Sequence, residues 1–183
     1  MGRICIFCGS RAGNNPIYLQ VAQQVGETLA KQGIGIVYGA GNTGLMGAVA
    51  DGALAVGGEV IGVIPEDLVA REVAHGNLTQ IHIVSSMHER KALMADLSSA
   101  FLTLPGGYGT FDELFEMLTW SQLEFHSQPK PCGLLNINGY YNHLITMLKH
   151  AVEEGFLGSQ CLEILLVENS LDILIEKLVN FVV

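Results

Sequence analysis

The chain has 183 residues and a net charge of −9, from 18 acidic and nine basic side chains. Nucleic acids and anionic membrane surfaces both favour basic stripes, which this sequence lacks, so the charge balance disfavours both as partners. Hydrophobic residues make up 49% of the chain and charged residues 15%, which is typical of a globular protein that folds without disulfides and has some apolar surface for self-association.

Two of the four cysteines, Cys5 and Cys8, have C-x-x-C spacing. They lie in an apolar run that predicts a strand, where an offset of three directs the side chains to opposite faces, so we expect core thiols rather than a redox pair. The N-terminus shows no signal-peptide pattern, and no uncharged apolar segment reaches the length of a membrane span. We therefore expect a reduced, cytoplasmic protein.

Short apolar segments alternate with helical patterns along the chain. In chain order, the predicted strands are RICIFCGS, IGIVYG, EVIGVIP, QIHIV, AFLTLP, CGLLN and EILLV. Helices are predicted to begin near Pro16, Thr43, Ser86, Thr110, Tyr140 and Ser170, and a loop is predicted around residues 66–76.

This alternation predicts an α/β, Rossmann-like, doubly wound fold: a mostly parallel sheet of about seven strands with helices on both faces. The sequence contains no linker, repeat or low-complexity segment, so we expect a single nucleotide-binding domain over residues 1–183. Ligands of such sheets bind beyond the carboxyl ends of the strands. The glycines of this chain are concentrated in those strand-to-helix turns.

The first glycine-rich turn, GAGNTG at residues 39–44, matches G-x-G-x-x-G between a strand and a helix. A dinucleotide site also needs an acidic residue at the end of the next strand. Glu59 lies at the start of that strand and Glu66 follows it late, so a nicotinamide or flavin cofactor is disfavoured. Tight helix–sheet packing explains Gly44 and Gly47 without a ligand, although a nucleotide lying against the turn is compatible with that packing.

A basic pair lies at another helix start, in SSMHERK at residues 85–91. Ser86 and Glu89 have the spacing of a capping box. Arg90 and Lys91 fall in the first turns, where the helix dipole disfavours positive charge. Either their charged groups are solvated or a ligand compensates them. Because the chain has only nine basic residues, we favour a ligand.

The second glycine-rich turn, PGGYGTFDE at residues 105–113, has three glycines within four positions before a helix. Thr110 and Glu113 also have capping-box spacing, so Glu113 could serve only as a helix cap. A capping box needs no glycines, however, and this density suggests backbone packed closely against an anion. Asp112 and Glu113 would repel that anion unless they face another part of the ligand.

The motif PGGxGTxxE in this turn resembles the signature of the Lonely Guy family of cytokinin-activating enzymes. The segments CIFCGS, YGAGNTGLMG, VIGVIP, MHERK, TW and GLLNINGYYNHL also occur in the order and spacing of that family, so the resemblance covers nearly the whole chain. It implies a nucleoside 5′-monophosphate phosphoribohydrolase that cleaves N6-modified adenosine 5′-monophosphates to the free base and ribose 5-phosphate.

The resemblance also implies the site. Arg90 matches the catalytic arginine of the family, and Glu113 would stabilise an oxocarbenium-like transition state and orient the attacking water. Asp112 would be a first-turn dipole partner or a ribose contact. The substrate-binding positions, including a phosphate cradle after the strand, are Glu72, Arg90, Lys91, Gly106, Gly107, Tyr108, Gly109, Thr110 and Thr119.

Two positions depart from the family pattern. Ala40 replaces a glycine and adds one methyl group to a backbone turn, which does not threaten the assignment. Arg11 replaces a serine, and its charge at the mouth of the first turn could alter substrate preference.

Two other functions compete with hydrolysis. Many members of the family are labelled lysine decarboxylases, but the lysines here lie in polar or helix-surface contexts, unsuited to a pyridoxal Schiff base. A non-catalytic carrier of a nucleotide or molybdenum cofactor would keep the glycines without needing both Arg90 and Glu113. No pair of histidines has metal-ligand spacing. We therefore expect a hydrolase without cofactor or metal.

We also expect a homodimer, which the resemblance implies. The helix of the second glycine turn carries apolar side chains on more than one face. Phe111, Leu114, Phe115 and Leu118 form a stripe suited to the sheet, whereas Met117 and Trp120 lie off it and would face a partner subunit, line the base pocket or complete the intramolecular core.

Overall fold

The computed structural model describes residues 2–69, 74–123 and 130–181. The strands are β1 (Arg3–Phe7), β2 (Gly35–Tyr38), β3 (Val60–Pro65), β4 (Gln80–Val84), β5 (Ala100–Thr103), β6 (Cys132–Leu135) and β7 (Leu165–Glu168). The α-helices are α1 (Ile17–Lys31), α2 (Gly44–Ala55), α3 (Glu66–Val69), α4 (Met87–Asp96), α5 (Tyr108–Gln122), α6 (Asn142–Glu153) and α7 (Leu171–Val179), and two 3₁₀ turns cover Ile137–Gly139 and Ser159–Leu162.

The predicted elements are present, with differences at several of their ends, among them α5, which begins at Tyr108, two residues before the predicted Thr110. The segment predicted as a loop around residues 66–76 begins with the single turn α3, and residues 70–73 within it lie outside the described ranges. The helix predicted from Tyr140 begins two residues later, because Asn138 and Gly139 both have positive φ and turn the chain before the helix starts.

All seven strands form one sheet in the order β4-β3-β2-β1-β5-β6-β7, and every pairing is parallel. The α/β doubly wound prediction is confirmed, with a wholly parallel sheet. The chain order reverses between β1 and β5, where Ile4 pairs with Ala100. In open α/β sheets this switch point leaves a crevice beyond the strand ends. The turns after β1 and β5 therefore border the crevice.

Two hydrophobic cores cover the two faces of the sheet. One contains buried side chains of α1, α2 and α7, and the other contains those of α4 and α5, with α6 packed against it. Cys5 belongs to the second core and Cys8 to the first, and both are free thiols, as the strand interpretation predicts. Within the described ranges, every helix is too short or too polar to cross a membrane.

The inward face of α5 differs from the predicted stripe. Its buried residues are Thr110, Leu114, Met117 and Ser121, which follow one another at helical spacing. Leaving Met117 out of the sheet-facing stripe was therefore wrong, since it is buried between α5 and the sheet, and of its predicted places the intramolecular core is the one observed. Assigning Phe115 to the sheet was also wrong, since this side chain is 39% exposed. Because aromatic and apolar residues lie on more than one face of α5, the sequence did not show which of these faces packs against the sheet.

Candidate active site

A cavity of about 720 Å³ opens at the switch point of the sheet. Residues 8–13 after β1, Gly39 after β2 and residues 105–110 after β5 form its backbone walls. Side chains from α4 and α5 complete it, including Arg90 and Glu113. Its volume is in the range typical of small-molecule sites.

The second glycine turn leads directly into α5. Gly107 is the N-cap in an extended conformation, and none of the described side chains caps the helix there. Thr110 is thus already the third helical residue and not the cap. The capping-box interpretation of Glu113 is wrong for this reason. The first N–H groups of the helix have no intrahelical partners, so they are available to a ligand at the cavity.

The three glycines of this turn differ in what surrounds them. A Cβ at Gly106 would overlap the Thr110 hydroxyl and approach the backbone nitrogen of Gly9 to 2.9 Å. At Gly107 and Gly109 a Cβ would meet no atom of the described residues within 4 Å, and both residues line the cavity. Packing therefore explains Gly106 but not Gly107 or Gly109, whose bare backbone faces open space.

Arg90 reaches the cavity from the first turns of α4. Ser86 caps this helix by accepting a hydrogen bond from the N–H of Glu89 at 3.2 Å. The Glu89 carboxylate completes the predicted box one residue earlier than expected, since it accepts from the N–H of Ser85 at 2.8 Å rather than from Ser86. The cap thus fixes the start of the helix that delivers Arg90.

The guanidinium of Arg90 is buried, with only 5% of the residue exposed. Its Nη2 donates to the carbonyl oxygen of Gly39 at 3.1 Å, and its Nε is buried with no hydrogen-bond partner among the described residues. A Cβ at Gly39 would overlap Nη2, so this glycine makes room for the guanidinium. A buried cation with unused donors suits an anionic or electron-rich ligand.

Glu113 lies half-buried on α5 and lines the same cavity as Arg90. Burial raises the pKa of the Cys8 thiol, and the negative charge of Glu113 raises it further. Burial likewise raises the pKa of Cys5, where Glu113 acts in the same direction and Arg90 in the opposite one. The charge of Glu113 therefore acts on both thiols and that of Arg90 on Cys5, and both thiols stay protonated.

Lys91 and Asp112 form an ion pair at the edge of the cavity, which Asp112 lines. The Nζ of Lys91 lies 3.0 Å from Asp112 and 2.7 Å from Glu116, and Lys91 does not line the cavity. Burial lowers the pKa of Lys91, but the hydrogen bonds and charges of Glu116 and Asp112 outweigh burial and raise it. Asp112 lies beyond the first turn of α5, so its interpretation as a dipole partner there was wrong.

Of the remaining predicted contacts, Thr119 lies apart from the cavity, Tyr108 lies at its border and Glu72 lies outside the described residues. Thr119 lines a shallower neighbouring groove of about 590 Å³, together with Phe115 and Trp120. Tyr108, which is 95% exposed, lines both the groove and the cavity. Glu72 lies outside the described residues.

In the first glycine turn, other backbone segments of the protein occupy the space and the N–H groups that a ligand would use. The N–H groups of Leu45 and Met46, at the start of α2, donate to the carbonyl oxygen of Gly9 at 3.0 and 3.3 Å. Gly44 has φ +61, and a Cβ there would overlap the backbone of residues 10 and 11. These N–H groups are therefore already used, which supports the packing interpretation of this turn. Arg11 is exposed and lines the cavity, as expected for the mouth of the turn.

Sequence reasoning missed two aromatic residues of the cavity wall, Tyr18 and Tyr140. Their rings meet edge to face with centroids 6.0 Å apart. Tyr140 belongs to the motif GLLNINGYYNHL, but its place in an expected helix gave no reason to assign it to the site. Tyr18 lies on α1 and carried no signal in its local sequence.

Comparisons with known proteins agree with this geometry. A family model described as possible lysine decarboxylase matches residues 46–178. The chain is 49% identical over 164 residues to a probable cytokinin riboside 5′-monophosphate phosphoribohydrolase of Oryza sativa subsp. japonica, which covers 90% of this chain and 73% of that protein. It is 46% identical over 180 residues to a cytokinin riboside 5′-monophosphate phosphoribohydrolase of Arabidopsis thaliana, which covers 98% of this chain and 84% of that protein.

Solved structures share the fold at low sequence identity. The molybdenum cofactor binding protein of Rippkaea orientalis matches with a TM-score of 0.70 and 20% identity, over 96% of this chain and 93% of that chain. The Moco carrier protein of Chlamydomonas reinhardtii matches with a TM-score of 0.70 and 18% identity, over 97% of each chain. These two likenesses concern the architecture alone.

Proposed function

The chain belongs to the cytokinin riboside 5′-monophosphate phosphoribohydrolase family, and we propose that it hydrolyses the N-glycosidic bond of adenosine 5′-monophosphates. N6-modified adenosine 5′-monophosphates are the proposed substrate class, and the free base and ribose 5-phosphate are the products. The observation that carries this proposal is a single cavity in which open glycine backbone, a buried guanidinium and a carboxylate meet.

The 5′-phosphate would lie over the start of α5, at Gly107, Gly109 and the Thr110 end of the turn. Bare backbone and unpaired N–H groups at a helix N-terminus favour an anion. The ribose would then extend toward Glu113, one turn further along the helix. This arrangement removes the conflict between an anion and a carboxylate, because the two groups face different parts of the substrate.

Glu113 and Arg90 would carry the chemistry. Positive charge develops on the ribose as the glycosidic bond breaks, and a nearby carboxylate stabilises that charge and can orient or deprotonate the attacking water. Arg90 would assist departure of the base or hold Glu113 in position. Its burial strengthens either effect, because solvent screens it poorly.

Lysine decarboxylation is less compatible with these residues. A lysine that forms a Schiff base needs a lowered pKa in an apolar setting. The side chains of Glu116 and Asp112 raise the pKa of Lys91, and no lysine lines the cavity within the described ranges. The word decarboxylase in the description of the family model therefore has no support from this site.

The decisive experiment is to incubate purified protein with AMP and with isopentenyladenosine 5′-monophosphate and to quantify the free base. We expect release of free base from the modified nucleotide, in equal amount to ribose 5-phosphate. Stoichiometric retention of an intact nucleotide, with no release of base, would instead indicate a carrier of nucleotides or of a related cofactor.

We further propose that the working unit is a homodimer in the cytoplasm. The groove lined by Phe115, Thr119 and Trp120 is partly apolar and shares Tyr108 with the cavity, so a second subunit lying there would border the substrate. Aromatic side chains are enriched at the centre of interfaces. Light scattering tests this at micromolar concentration. A mass near 19.7 kDa with full activity would exclude the dimer.

Free thiols at the described cysteines support a reducing compartment.

A further inference from the structure

Three consecutive carbonyl groups before α5 each accept a hydrogen bond, two of them from adjacent tyrosines after β6 and one from the turn after β1. The hydroxyl of Tyr141 donates to the carbonyl oxygen of Leu104 at 2.6 Å. The N–H of Gly9 donates to that of Pro105 at 3.0 Å. The hydroxyl of Tyr140 donates to that of Gly106 at 2.6 Å. Each of the three peptide groups that lead into the helix is therefore held by a hydrogen bond to its carbonyl oxygen.

The loop after β6 is built to deliver the two tyrosines. The side-chain oxygen of Asn136 accepts from the N–H of Tyr141 at 2.8 Å, and its amide nitrogen donates to Asn142 at 2.8 Å. Asn138 and Gly139 then adopt φ of +52 and +70, a conformation that asparagine and glycine tolerate best. This tight turn lets two adjacent hydroxyl groups reach carbonyls two residues apart.

The two peptide groups that the tyrosines hold, after Leu104 and after Gly106, differ in the group that lies opposite the carbonyl. A trans peptide is planar, so the N–H of the next residue points opposite to the carbonyl. The described residues contain no cis peptide. The peptide held by Tyr141 leads into Pro105, which has no N–H. The peptide held by Tyr140 carries the N–H of Gly107, at the N-cap of α5.

We propose that Tyr140 is a positioning residue of the phosphate cradle: its hydroxyl fixes the Gly106 carbonyl and thereby aims the Gly107 N–H at the substrate phosphate. The Tyr140 ring is itself held edge to face by Tyr18 and by Tyr141, with centroids 6.0 and 4.8 Å apart. Tyr141 is buried and secures the end of β5 rather than the cradle. This assignment rests on the proposed function and refines its account of phosphate recognition.

The variant Tyr140→Phe tests this assignment, because it keeps the ring and removes only the hydroxyl. Hydrolysis is measured on the monophosphate and on the corresponding nucleoside, and ribose 5-phosphate binding is measured by calorimetry. We expect roughly fivefold weaker ribose 5-phosphate binding, the size of one lost hydrogen bond. The preference for monophosphate over nucleoside should fall by a similar factor, through KM more than kcat. General destabilisation would affect both substrates alike.

Two further variants separate positioning from stability. Tyr141→Phe leaves a buried carbonyl without its partner, so we expect a lower Tm with the monophosphate preference retained. Tyr38→Phe removes a buried hydroxyl that has no partner among the described residues and lies outside the cavity lining, so it is the matched control: the monophosphate preference should be retained and Tm should not fall.

The outcomes distinguish this inference from the proposed function. If the wild type hydrolyses the monophosphate but Tyr140→Phe keeps its preference and its affinity, Tyr140 is not a positioning residue and the function stands. If the wild type binds ribose 5-phosphate without hydrolysing the nucleotide, the function is wrong, and calorimetry on Tyr140→Phe still decides the role of Tyr140. A wild type that neither hydrolyses the monophosphate nor binds ribose 5-phosphate overturns both.

Discussion

The two glycine-rich turns of this protein have similar compositions, but their glycines meet different physical requirements. In the first turn, neighbours already fill the space where a side chain would begin: the Arg90 guanidinium at Gly39, and the backbone of residues 10 and 11 at Gly44. In the second turn, a Cβ at Gly107 or Gly109 would meet nothing within 4 Å in the part of the chain that the structure describes.

The difference shows how to distinguish a packing glycine from a binding glycine. A packing glycine is required by an atom of the protein, and its replacement costs stability. A binding glycine has no such neighbour, and its replacement obstructs a ligand instead. The first turn accepts a hydrogen bond from Arg90 at the carbonyl oxygen of Gly39, whereas the second turn exposes its backbone to the cavity. The dinucleotide-like pattern therefore belongs to the turn with the structural role.

The largest effect should come from the helix of the second turn. Glu113→Gln keeps the size of the side chain but removes the charge that would stabilise the transition state. We expect kcat to fall at least roughly a hundredfold, with ribose 5-phosphate binding retained. Glu176→Gln, an exposed site on α7, is the control and should retain wild-type kcat. Wild-type turnover in Glu113→Gln would mean that the carboxylate has no catalytic role.

The next largest effect is expected from a change of substrate rather than from a mutation. If the second turn holds the phosphate, kcat/KM for the monophosphate should exceed that for the nucleoside by roughly a hundredfold or more, the size of two hydrogen bonds to a charged group. Steady-state kinetics on the two substrates measure this ratio. Equal values would show that the second turn is not a phosphate cradle, whatever else binds in the cavity.

Alanine at one glycine of each turn tests the contrast directly. Gly39→Ala must displace the Arg90 guanidinium, so we expect a loss of about 2 kcal/mol in the free energy of unfolding, together with reduced kcat. Gly107→Ala should keep stability within about 0.5 kcal/mol and raise KM, because the methyl group enters the phosphate position. Urea unfolding and steady-state kinetics on both variants provide the comparison. The reverse pattern would contradict the distinction between the turns.

The smallest expected effect is stabilising. Ala40, in the first turn, has φ +64, a left-handed conformation that costs a side-chain-bearing residue about 1–2 kcal/mol. We expect Ala40→Gly to raise the free energy of unfolding by about 1 kcal/mol, after the larger chain entropy of glycine is deducted. Ala30→Gly, within α1, should lower it by a similar amount. Destabilisation by Ala40→Gly would mean that the methyl group contributes packing that outweighs its strain.

The sequence alone determined the architecture and the main candidates. Strands, helices and their parallel arrangement follow from local periodicity and from turn residues, which act over a few positions. Ser86, Arg90 and Glu113 could be proposed because helix-start chemistry and motif spacing are also local. The capping interpretation of Glu113 placed the N-cap at Thr110, three residues too late. Only the backbone shows that Gly107 is the N-cap and that α5 begins at Tyr108.

Tertiary structure decided the rest, because each remaining feature depends on atoms that are distant in sequence. Whether a glycine is crowded depends on its spatial neighbours: Gly39 faces a guanidinium 51 positions away, while Gly107 faces none. Lys91 is neutralised by acids on another helix. Tyr140 reaches a carbonyl 34 positions earlier in the chain. Local periodicity contains no information about such pairings, which arise only when the sheet order brings the ends of β1, β2, β5 and β6 together.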